Sequence, residues 1–201
     1  MSVVEILVAL YYGKLNGKSV VNFDALKPGS DSQDYVILSK TSAALVQYAI
    51  LADLGFFDKS ELNYFGCQGS LLKEYPSSKV PGIAVSILSN GYGLSVALGL
   101  ALSLKVERKP NKVFVVIGDE ELSNGQIWEA ASIAAHYKLD NLIVFVDEAG
   151  CETSPTILST PKIGNIQDKF ESFGWHVMQI ADGHNFDQIL DAIVKAFTVN
   201  R

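Results

Sequence analysis

The sequence predicts an α/β fold, a parallel β-sheet with helices on both faces. Three observations predict it. First, "DYVILS" (34–39), "VFVVI" (113–117) and "LIVFV" (142–146) are short, continuous runs of β-branched and aliphatic residues. They lack the polar alternation of a half-solvated strand, so they read as strands covered on both sides. Second, helical periodicity fills the segments between these runs, and strands alternating with helices give a parallel sheet. Third, 201 residues suit one domain with a real core;.

The elements follow in order. Ser2 and Glu5 have capping-box spacing for an opening helix, and Ile6, Leu7, Leu10 and Tyr11 form its apolar stripe;. Residues 13–34 are polar and rich in turn formers, so an irregular stretch is expected before the first strand at 34–39;. A helix over 41–54 follows, with Ala44, Ile50, Leu51 and Leu54 on its buried face. Residues 66–91 read as loop, punctuated by Pro76, Pro81 and Gly82;. "GYGLSVALGLALSLKV" (91–106) is too short for a comfortable membrane span and contains Ser95 and Ser103;. A buried helix is expected there, with Gly93, Ala97, Gly99 and Ala101 admitting a close backbone neighbour. After the strand at 113–117 come a helix near 124–137, the strand at 142–146 and a loop over 150–161. "NIQDKFESFGW" (165–175) reads as a short helix with a turn, "HVMQIA" (176–181) as a strand, and 185–197 as a closing helix capped by Asn185;. No repeat or linker interrupts the chain, so a single domain over 1–201 is expected.

Charge and composition exclude several classes of function. A net charge of -6 without any Lys/Arg cluster argues against nucleic-acid binding;. Hydrophobic residues make up 48% and charged residues 19%, a balance that suggests a surface partly covered by a partner;. Cys67 and Cys151 match no metal or redox spacing and are expected to be reduced thiols of a cytoplasmic protein;. Met1 is followed by Ser-Val-Val-Glu with no basic region, so no signal peptide is expected;.

The stretch "VVIGDEELSNG" (115–125) carries the functional question. It delivers a Gly-Asp pair from a strand into a turn before a helix. Asp119 and Asp147 both follow strands, and parallel sheets bind ligands beyond the carboxyl ends of their strands. The plainer alternative is that both acids cap turns and helices. Glu120 and Glu121 add negative charge where an anionic ligand would be expected.

From "GDEELSNGQIWEAASIAAHYKLDNLIVFVD" (118–147) the chain resembles the transketolase family, in particular its N-terminal domain that holds the diphosphate of thiamine diphosphate (ThDP). The likeness extends to "SVVEILVALYYG" (2–13), "DYVILSKTSAALVQYAILADLGFF" (34–57), "GYGLSVALGLAL" (91–102) and "DKFESFGWHVMQIADGHN" (168–185), in the family's order. The length resembles a split N-terminal subunit, although the family's opening helix, its "GHPGG" segment and its last strand have no counterpart here. The resemblance implies a separate pyrimidine-binding and C-terminal chain as partner, a homo- or hetero-oligomer, and sugar phosphate substrates. It also implies a diphosphate held through Mg²⁺ or Ca²⁺, cations that take oxygen ligands.

Residue by residue, the resemblance places Gly118 and Asp119 on the first two positions of the family's Gly-Asp-Gly, with Asp119 a metal ligand and Glu120 at the third position. Leu88 and Asn90 fall on the cofactor-framing segment, at a glycine and a leucine of the family. Cys151 falls where a main-chain carbonyl ligates the metal. Ala149 stands where the family has the ligand Asn. Ser42 and Tyr75 replace family histidines, and Asn124 replaces a Glu. His136 and His184 read as structural. Substitutions thus gather at the cofactor edge while helices and strands match. Two readings stay open: a ThDP-dependent half-enzyme, and a degenerate subunit with a structural or regulatory role. A repurposed pocket for a cationic ligand, using Asp119, Glu120, Glu121 and Glu148, is a third.

Overall fold

The computed structural model describes residues 3–148 and 163–199. The opening helix α1 (Val4–Tyr12) buries Ile6, Leu7, Leu10 and Tyr11, the expected stripe. Ser2 lies outside the described residues, and Glu5 instead binds His184, with Oε1 3.0 Å from Nδ1. A two-residue hairpin, β1 (Lys14–Leu15) with β2 (Lys18–Ser19), turns on Asn16 and Gly17, both with positive φ. The expected helix over 41–54 starts as a 3-10 turn (Thr41–Ala43) and continues as α2 (Ala44–Asp53).

The main sheet has the order β3-β4-β5, all parallel, from β3 (Tyr35–Leu38), β4 (Val113–Gly118) and β5 (Leu142–Asp147). All six residues of β4 are buried, which explains why its sequence shows no polar alternation;. Its side chains still divide between the faces. Phe114 and Val116 join a core with Leu7 and Leu10 of α1, Leu51 of α2 and Ile189 of α6 (Phe186–Thr198). Val113, Val115 and Ile117 join a second core with Ala97 and Ala101 of α3 (Gly93–Val106), Ile127 and Ala131 of α4 (Gly125–His136) and Phe170 of α5 (Ile166–Ser172). Helices therefore cover both faces. Each fully buried Val, Ile or Phe contributes about 1.5–3 kcal/mol, which fixes the sheet between its layers.

Two expectations need correction. Residues 176–181 form no ladder with β5. Val177 packs against the second core and Ile180 against the first, so the segment straddles the sheet margin. Its apolar side chains reach both layers without pairing its backbone. A cleft of about 760 Å³ runs there, lined by Val144, Val146, Val177 and Ile180 among others. Secondly, α3 is buried on one side only: Leu94, Ala97, Ala101 and Leu104 face the core, while Val106 is 75% exposed. Of its small residues, Gly93 lies tight against Ser39, whereas Gly99 faces open space. No helix among the described residues is long and apolar enough to cross a membrane. Asn185 caps α6 as expected, its side chain accepting from the Gln188 N–H at 3.1 Å.

Candidate functional site

Register brings the candidate residues together at the carboxyl edge of the sheet. Gly118 pairs with Asp147, so the two strands end side by side. The chain leaves β4 in a 3-10 turn, Asp119–Ser123, and enters α4. Ser39 and Lys40 follow β3 on the same edge, where both of their N–H groups donate to the Val116 carbonyl, at 2.9 and 3.3 Å. The turn before α3 supplies Asn90 and Gly91.

Glu121 points inward. It is fully buried, its Oε1 accepts from the Ser39 hydroxyl and from the Gly91 N–H at 2.5 Å, and its Oε2 accepts from the Gly118 N–H at 2.7 Å. This is the reach-back of a third helical residue to the amide at the helix entrance. The expectation that Glu121 adds charge in the ligand's position is corrected: its carboxylate ties three loops together beneath the edge. Gly91, at φ +88°, takes a backbone conformation that favours glycine, and a Cβ there would strike Asn124;. The Ser39 hydroxyl also accepts from the Gly93 N–H at 3.1 Å, which holds the start of α3 against β3.

Glu120 does the opposite and lies over the edge. A Cβ built on Gly118 would collide with both of its carboxylate oxygens. Its Oε2 is 3.9 Å from Lys40 Nζ, and the Glu120 side chain is 45% exposed. Lys40 also binds Asp147 Oδ2 at 2.8 Å, with both of these side chains largely buried. Burial raises the Glu120 carboxyl above its ordinary value, opposed by its own backbone hydrogen bond and by Lys40 and assisted by Asp119 and Glu121;. Burial pulls Lys40 downward, yet its hydrogen bond to Asp147 and the fields of Glu120, Asp147 and Asp119 hold it above its usual range. Asp119 Oδ1 accepts from the Glu120 N–H at 2.9 Å.

Of the other candidates, Asn90 accepts from the Thr41 hydroxyl at 2.7 Å, and Leu88 is 80% exposed on the loop before α3. Glu148 is exposed. Ala149 and Cys151 lie outside the described residues. Ser42, Tyr75 and Asn124 are exposed. Sequence reasoning missed Lys40. The rule that found Asp119 and Asp147, placement just beyond a strand, would have found it too.

Mg²⁺ and Ca²⁺ need several oxygen ligands, and a diphosphate needs close approach to backbone. Among the described residues, no group of three or more His, Cys, Asp or Glu side chains could hold a metal ion. The approach over Gly118 is occupied by the Glu120 carboxylate. In this arrangement the Glu120 carboxylate stands where a diphosphate would have to approach Gly118, and Asp119 is the cation-ligand candidate among the described residues.

The fold and its edge define a parallel α/β domain of the kind that binds ligands at its strand ends. Comparison with known proteins narrows the class. Residues 17–201 match the family described as transketolase, thiamine diphosphate binding domain, and the chain belongs to that family. It is 34% identical over 197 residues to a 6-deoxy-6-sulfo-D-fructose transketolase subunit of Clostridium sp. (strain MSTE9), covering 98% of this chain and 69% of the relative. It is 31% identical to one of the apulose-4-phosphate transketolase subunits of Phocaeicola vulgatus, covering 98% of this chain and 66% of that one. A transketolase structure from Pichia stipitis superimposes with a TM-score of 0.80 at 26% identity, over 90% of this chain and 28% of the other. The chain thus spans about two thirds of the subunit relatives and under a third of that transketolase.

Proposed function

We propose that this chain is the N-terminal subunit of a two-chain transketolase. It would hold the diphosphate of ThDP through a divalent cation and, with a separate pyrimidine-domain chain, transfer two-carbon ketol units between sugar phosphates. One observation carries the reading: Asp147 ends β5 in register with Gly118, the last residue of β4, and Asp119 follows in the turn directly beyond, on the ligand edge of a chain matched to the ThDP domain over 17–201. The two subunit relatives support a partner chain, and the name of one states a sugar phosphate substrate. When bound, ThDP supplies the carbanion chemistry, and the protein binds and orients it. On this chain Asp119 is the candidate cation ligand, with Cys151 contributing a main-chain carbonyl. Gly118, Leu88 and Asn90 frame the cofactor, and Glu120 has to leave Gly118.

A second reading is a non-catalytic transketolase-like subunit with a structural or regulatory role. The observation favouring it is the Glu120 carboxylate over Gly118, ion-paired to Lys40. Titration of ThDP and Mg²⁺ into the chain, with and without a separate pyrimidine-domain chain assembled on it, separates the two. Metal-dependent binding by the complex is the expected result. An assembled complex that binds nothing at millimolar cofactor overturns the catalytic reading.

A further inference from the structure

We propose that Glu120 is a latch on the diphosphate edge: held over Gly118 by Lys40, it keeps the oxyanion position closed and sets the affinity for a metal-bound diphosphate. The inference rests on the proposed function, because it takes a diphosphate as the ligand of this edge.

The geometry separates a fixed part from a movable one. Lys40 is the fixed part. Its side chain is 13% exposed, and the 2.8 Å contact to Asp147, itself anchored at the end of β5, locates its ammonium. Glu120 is the movable part. Its contact with Lys40 is the longer of the two, at 3.9 Å, and nearly half of its side chain faces solvent. A swing of the side chain gives up the carboxylate's own backbone hydrogen bond as well as the Lys40 contact, while other contacts hold the turn. The Glu120 N–H donates to Asp119 at 2.9 Å, and its carbonyl accepts from the Ser123 hydroxyl at 2.9 Å. Glu121 pins the same turn from below through the Gly118 N–H.

Closed, the latch presents an anion with carboxylate oxygens at the point where it must meet the backbone. Open, it uncovers Gly118 and takes one negative charge off the approach. Affinity therefore includes the work of displacing Glu120 from Lys40, which a substitution at 120 would remove.

The test is calorimetric titration of ThDP with Mg²⁺ into the full chain assembled with its partner chain, comparing the native protein with Glu120→Gln and Glu120→Gly. Thermal unfolding of each variant verifies that the fold is kept. Removing a unit charge at this range is expected to tighten binding about tenfold or more in both variants. Tightening in Glu120→Gly alone still supports the latch, acting through bulk rather than charge. Equal affinity in all three proteins overturns the latch and leaves the proposed function standing. Absence of binding in all three, with the complex assembled, overturns both.

Discussion

Glu120 and Glu121 are sequence neighbours on one turn, yet they belong to two different regions of the edge. Glu121 sits beneath it, fully buried, with three donors, from the loop after β3, the turn before α3 and the end of β4. Glu120 sits above it, half exposed, with a long contact to one lysine. A 3-10 turn rotates successive residues by about a third of a turn, so adjacent side chains leave it in different directions. The two carboxylates are chemically alike, and their surroundings bury one among donors and leave the other half exposed over the edge.

The sharpest way to break this comparison is Glu121→Ala. It leaves the buried amides of Gly91 and Gly118 and the Ser39 hydroxyl without their acceptor. Such orphaned groups cost about 1–3 kcal/mol each. We expect a loss of roughly 3–5 kcal/mol overall, read by urea unfolding, with β3, β4 and the start of α3 all loosened. A loss below about 1 kcal/mol would mean that Glu121 does not tie the loops together.

Lys40→Met comes next. It removes the 2.8 Å ion pair with Asp147, a largely buried carboxylate, and it releases Glu120. Breaking a buried pair from one side costs about 3–5 kcal/mol, and the residual exposure here lowers the expectation to about 2–3 kcal/mol. By contrast, Glu120→Gln should leave stability within about 0.5 kcal/mol of the native chain, as exposed ion pairs do. Unfolding curves of the three variants should therefore fall in the order Glu121→Ala, Lys40→Met, Glu120→Gln. An inverted order would show that the upper layer of the edge holds the fold.

The same contrast marks what the sequence could reveal. The strands were legible because burial on both faces writes a continuous apolar run, as in "VFVVI". The edge was legible because the carboxyl end of a strand is a place that pattern alone locates, which gave Asp119 and Asp147. The separation of Glu120 from Glu121 was not legible. It depends on a 3-10 turn whose path is set by contacts with Ser39 and Gly91, 82 and 30 residues away in the chain. Lys40 was hidden because a lone lysine ordinarily reads as solvated surface. Residues 176–181 carry the apolar content of a strand, but a ladder also needs a partner backbone in reach, and composition does not encode that. The position of Ala149 and Cys151, on which the resemblance places the cation's other ligands, lies outside the described residues.

The smallest expected effect serves as a control from outside the edge. Glu5 of α1 reaches His184 in the turn before α6, and its carboxyl lies below its ordinary value of 4.5. Its own backbone hydrogen bond is the largest cause, followed by the bond to His184, with burial opposing both. A carboxyl depressed in the folded state stabilises above its unfolded value, and that increment fades as pH falls through the folded value. Stability should thus carry a small acid-side decline below about pH 4.5 that Glu5→Gln removes. His184 is 67% exposed, so solvent screening limits the change to a few tenths of a kcal/mol;. Unfolding of Glu5→Gln at about pH 7 and about pH 4 measures it. A change as large as that of Lys40→Met would mean that the α1–α6 contact, rather than the carboxyl edge, is the chain's principal electrostatic tie.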